Sequence, residues 1–122
     1  MGNEEKESKE FFPQDFVDIE NAIIHAIENF RLPVKITTSA IGVVSYFNGR
    51  KLIGCISPGY QQKLFFSLRF SWDSLRMIER LGVPVSSLEE DDELEEFYYI
   101  PKEIYSDKDL FPKIFKIAFE SF

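Results

Sequence analysis

Residues 41–70 read IGVVSYFNGRKLIGCISPGYQQKLFFSLRF, and the fold turns on this stretch. Two β-rich runs, Ile41 to Phe47 and Lys51 to Ile56, are joined by Asn48-Gly49. Asn-Gly between such runs is the strongest short hairpin signal, because a type I′ turn needs positive φ at both central residues. A second turn, Ser57-Pro58-Gly59, leads into Lys63 to Phe70. There Leu64, Phe66, Leu68 and Phe70 alternate with Phe65, Ser67 and Arg69, the period of two that lays one set on each face of a sheet. The stretch therefore predicts an antiparallel meander of three long strands, preceded by a short one where Val34 and Ile36 alternate with Lys35 and Thr37.

Upstream, Phe16, Ile19, Ile23, Ile27 and Phe30 recur at spacings of three and four, which places them on one side of a helix. Asp15 is the expected N-cap and Pro33 bars continuation. Downstream, Ser71 or Asp73 caps a short helix through Leu81, whose Leu75, Ile78 and Leu81 share a face. Gly82 followed by Pro84 is the expected stop. Val83 to Leu94 reads as a loop and Glu96 to Ile100 as a further strand halted by Pro101. Ser106 and Asp109 have capping-box spacing before a closing helix with Leu110, Phe111, Ile114, Phe115, Ala118 and Phe122 on its apolar face. The order, helix, three or four strands, helix, strand, helix, predicts a two-layer α+β domain with helices on one face of an antiparallel sheet.

At 122 residues the chain has the size of one domain. Residues 1–12 form an acidic tail expected to be disordered, and 13–122 the single domain. The net charge of −7 is unevenly spread. Seven acids and no base lie between Glu89 and Glu96, whereas residues 11–88 hold six acids against eight bases. An acidic chain of this kind is a poor general binder of nucleic acid, although a basic-aromatic strand face (Phe65, Ser67 and Arg69, with Arg50, Lys51 and Tyr60 nearby) is conceivable as a single-strand platform. No apolar run reaches the ~20 residues of a membrane span, and the acidic start is the opposite of a signal peptide's basic one. The expected setting is the cytoplasm.

Catalytic signatures are missing. The six glycines are scattered, with no phosphate-cradling motif. One cysteine, Cys55, and one histidine, His25, cannot make a Cys/His zinc site within one chain. A nucleophilic pair would require these two to meet across the helix–sheet interface, whereas a packed thiol and a partly exposed imidazole are the ordinary outcome. The acidic run has the carboxylates for a hard cation but neither the glycine nor the alternation of a calcium loop. It reads as a solvated docking surface for a basic partner. Thirteen phenylalanines are difficult to fit into one small core, so some are expected at an exposed patch for a protein partner or a second copy of the chain. The candidate partner-binding residues are Phe65, Arg69, Glu89, Glu90, Asp91, Asp92 and Glu93; no catalytic residue, metal ligand or cofactor is expected.

Val43 to Phe47 with Asn48-Gly49, Leu64 to Phe70, Tyr98-Tyr99-Ile100, then Ser106, Asp109 and the closing helix together resemble the secretion-chaperone-like fold. That fold is shared by the acidic chaperones of type III secretion and by small YjbR-like and YdhG-like bacterial domains. The resemblance implies a binding or chaperone role, often as a homodimer. One departure stands out: those chaperones have two strands after the second helix, where Glu96 to Ile100 is here the single clear one. The reading of another class is a small-molecule or metal-binding protein, or an enzyme, with its site between helix and sheet.

Overall fold

Apolar spacing of three and four carries helix α1 from Pro13 to Phe30, burying Ile19, Ile23 and Ala26. The computed structural model describes residues 13–58 and 64–122. The acidic tail, Gly59 of the second turn, Tyr60, and Lys63 at the head of the third long strand lie outside the described residues. Asp15 does not precede α1 but sits in its first turn, where a carboxylate complements the positive end of the helix. Arg31 closes the helix with a φ of 52°, and Leu32 N donates to Ile27 O at 3.0 Å before Pro33.

The chain then forms β1 (Val34–Thr38), β2 (Val44–Asn48), β3 (Lys51–Pro58) and β4 (Leu64–Arg69), with β5 (Phe97–Tyr99) added later. The sheet is antiparallel throughout, in the order β1-β2-β3-β4-β5. The first hairpin falls where Asn-Gly predicts it, with its turn moved by one residue. Asn48 pairs with Lys51, so the central residues are Gly49 and Arg50. Only Gly49 has positive φ, 62°, which is the requirement of a type II′ turn. Asn48 is thereby left in the strand, and its Nδ2 donates to Phe119 O at 2.9 Å.

Between β4 and β5 lies α2 (Trp72–Arg80). Ser71 is its N-cap, accepting from Ser74 N at 3.2 Å. At the other end Gly82 N donates to Glu79 O and Val83 N to Ile78 O, at 2.9 and 3.3 Å, the paired bonds of a Schellman motif that needs the left-handed φ of 94° at Gly82. After β5 the chain makes a short helix, α3 (Lys102–Tyr105), absent from the sequence reading, and then α4 (Leu110–Glu120). Pro101 stops the strand and at the same time opens α3, its carbonyl accepting from Ile104 N at 3.0 Å. Asp107, rather than the Ser106–Asp109 pair, caps the start of α4: its Oδ1 accepts from Asp109 N and Leu110 N at 3.1 and 3.0 Å.

The four described helices send their buried apolar residues into one cluster with the sheet residues Val44, Tyr46, Ile56, Phe66 and Leu68. This is the α+β arrangement the element order predicts, with helices on one face. Aromatic rings run through the cluster: Tyr46 meets Phe115 edge-on at 6.5 Å, and Phe66 meets Tyr105 and Phe111 at 6.1 and 5.9 Å. Most phenylalanines are absorbed in this way. Of the eleven described, only Phe65 is classed as exposed, at 38%.

Gly54 is central to the packing. In register it lies between Tyr46 of β2 and Leu68 of β4, and a Cβ there would stand 2.6 Å from Leu68 Cδ2 and 3.0 Å from Ser67 O. The register shift opposite Tyr46 and Phe47 inserts Ile53 as an extra residue beside it, and Ile53 joins the core at 2% exposure. Gly54→Ala is therefore expected to lower stability by about 1–3 kcal/mol, as overpacking does. Urea unfolding should show a lower midpoint at unchanged slope; an unaltered midpoint would mean that Leu68 can step aside.

Candidate functional site

On the face away from the helices, the register aligns Thr37, Ser45, Cys55, Ser67 and Tyr99 in one row across all five strands. Short side chains occupy the middle of this row, with Cys55 Sγ 3.4 Å from Ser67 Oγ. Phe65 stands above it, its ring 5.5 Å from that of Tyr99. Alternation along β4 places Phe65 here because its neighbours Leu64 and Phe66 turn to the helix side.

The acidic run closes one side of this surface, and it is more ordered than a solvated loop. Tyr99 N donates to Glu89 O and Asp91 N to Phe97 O, both at 2.8 Å, and Glu90 bridges Tyr98. Residues 89–91 therefore run antiparallel beside β5 as a short further edge. Asp91 Oδ1 accepts from Glu93 N at 2.9 Å and Leu94 N at 3.2 Å, turning the chain back. Glu96 completes the reversal with a φ of 67°. The acidic side chains remain on the surface because these bonds use backbone and one carboxylate.

Together these elements form a cleft of about 750 Å³. Val43, Pro58, Phe65, Leu94 and Tyr99 supply apolar walls, and Glu89, Asp91, Asp92 and Glu93 supply carboxylates. Among the described residues, none of those four acids pairs with a basic side chain. Five of the seven candidate residues thus meet in one place: Phe65, Glu89, Asp91, Asp92 and Glu93. Glu90 is next to them but outside the lining. Arg69 lies toward the opposite end of β4, where it contacts Glu96 at 3.2 Å and covers the Phe122 ring at 3.9 Å. Tyr99 and Leu94 are the contributors that sequence reasoning missed. The alternation of Phe97 and Tyr99 along β5 was the available signal for the first.

A second cavity, of about 530 Å³, lies between α1 and the α3–α4 corner, with Asp18, Asn21, His25, Tyr105, Asp107 and Lys108 in its lining. Among the described residues no hydrogen bond or ion pair orients the exposed His25 imidazole. Cys55 projects from the opposite face of the sheet, so thiol and imidazole do not meet. No group of three or more His, Cys, Asp or Glu among the described residues is placed to hold a metal ion, and no described helix is long and apolar enough to cross a membrane. Comparison with protein-family models, curated proteins and solved structures finds no match.

Burial pushes the Cys55 thiol above its ordinary value; the Ser67 hydrogen bond opposes this and the Asp91 carboxylate adds to it. At pH 8 the native thiol should react with a disulfide reagent at least about tenfold more slowly than the urea-unfolded chain, since the thiolate is the nucleophile. Equal rates would refute the buried assignment. With the folded value raised, the neutral thiol's contribution to stability is complete below the unfolded value and is lost as pH rises through the folded one. Urea midpoints should accordingly fall above about pH 9, less steeply in Cys55→Ala.

Proposed function

We propose that this protein is a non-enzymatic binding module, working in the cytoplasm, that docks a polypeptide segment combining basic side chains with an apolar anchor. The carrying observation is the convergence, in one cleft, of exposed Phe65 with four carboxylates that pair with no basic side chain among the described residues. Apolar anchors seated in a pocket supply most of the affinity of such contacts, whereas exposed charges chiefly speed encounter and select the partner. The carboxylates disfavour a nucleic-acid backbone, whose phosphates they would repel. An element order resembling the secretion chaperones supports the same reading, as does the pairing of residues 89–91 with β5, which supplies a further strand segment after the second helix.

Three labelled peptides of equal length test the proposal by fluorescence anisotropy: one of Lys, Leu and Phe, one with every Lys replaced by Glu, and one with Leu and Phe replaced by Ser. Only the first should bind, and more weakly as salt rises. Phe65→Ala should weaken it about thirtyfold, the size of a hot-spot loss. Asp92→Asn with Glu93→Gln should weaken it less at high salt than at low salt. Asp91 is left intact because its carboxylate holds the turn. Indifference to Phe65→Ala, or equal binding of the three peptides, would overturn the assignment.

A further inference from the structure

Strand β1 has an open outer edge. It pairs only with β2 among the described residues, and four of its five residues are exposed. Its hydrogen-bonding pattern fixes which backbone groups remain free. Ser39 N donates to Val43 O at 2.9 Å, and hydrogen-bonded and non-bonded pairs alternate along an antiparallel ladder. Thr37 and Lys35 are therefore bonded to β2, while Ile36 and Thr38 turn N–H and C=O outward. Val34 also faces outward, with its N–H already satisfied by Leu32 O at 2.9 Å and its carbonyl free. An edge of this kind is a template for another strand unless it is protected.

We infer that β1 joins the β1 of a second copy, antiparallel and two-fold about Ile36, making one sheet of ten strands. In that register the two Ile36 residues exchange both backbone hydrogen bonds, and each Thr38 N–H donates to the Val34 carbonyl of the other copy. Val34 N–H, which is already used, is not needed. Side by side on the helix face lie Ile36 against Ile36, 48% exposed in the single chain, and Val34 against Thr38. On the other face Lys35 meets Thr37, so no like charges are directly opposed.

Charge leaves this edge, and not the other, open to a second copy. The acidic run borders the far side of the sheet, beyond β5. Five strand spacings of ~4.8 Å put it roughly 24 Å from β1, well outside the ~8 Å screening length at physiological salt. Pairing across β1 keeps the two runs at opposite ends of the dimer, whereas pairing through the other edge would bring seven acids against seven. The acidic edge thus forbids one mode of self-association and leaves the other available.

Sedimentation velocity on the full chain across micromolar concentrations is the test. Wild type should show a concentration-dependent dimer. Ile36→Pro removes an outward N–H that makes no bond to β2, so it should yield a monomer with an unchanged urea midpoint. If that variant fails to fold, Ile36→Lys replaces it; two lysines directly opposed should raise the dissociation constant at least about tenfold. Under mild oxidation Ile36→Cys should cross-link to a covalent dimer and Lys35→Cys should not. A wild-type monomer at every concentration, including one that binds extended peptides along β1, would overturn the inference, as would a dimer indifferent to Ile36→Lys.

Discussion

At the middle of the sheet one side chain is absent, and the packing of both layers depends on it. Gly54 lets the Leu68 side chain lie across the central strand, beside Tyr46, which meets Phe115 edge-on. A Cβ at this point would stand 2.6 Å from Leu68 Cδ2, so Leu68 would have to move. The extra residue at Ile53 belongs to the same solution, since a bulge beside the glycine adds an apolar side chain to the core without breaking the pairing of β3 with β4. From that packing follows the division of labour between the faces: aromatic rings and helices on one, a row of small polar side chains with a single prominent phenylalanine on the other.

Much of this architecture was legible because its determinants are local. Ser71, Gly82 and Pro84 bracket α2 through bonds within a few residues, and alternation in Leu64 to Phe70 reports both faces of β4. Side-chain repulsion dominates the sequence of the acidic run and points to a solvated loop. Its pairing with β5 uses backbone groups, which carry no sequence signature. Similarly, the turn at Gly49 is displaced because Asn48 has a partner 71 residues away. Nothing near Asn48 announces that carbonyl.

The candidate site was legible as a list and not as a place. Phe65 and the acids each stand out in composition, yet what joins them is the reversal at Asp91 and Glu96 that folds residues 89–94 back beside Tyr99. The same reversal separates Arg69 from the set, drawing it to Glu96 and the Phe122 ring. Phenylalanine abundance, read as surplus surface, is mostly a property of the core. Its meaning for binding narrows to one ring.

The hydrogen bond from Asn48 to Phe119 and the rings of α4 have a consequence for how the chain acquires its structure during synthesis. α4, whose residues from Phe111 to Ala118 help to seal the helix side of the sheet, is translated after all five strands. A nascent chain can therefore assemble the strands while their aromatic face is covered only in part, by α1, and contacts this distant in sequence form slowly. Docking of α4, rather than emergence of the sheet, is the event that completes this layer. Before then the exposed face of the meander is a surface for molecular chaperones, or for a neighbouring nascent chain.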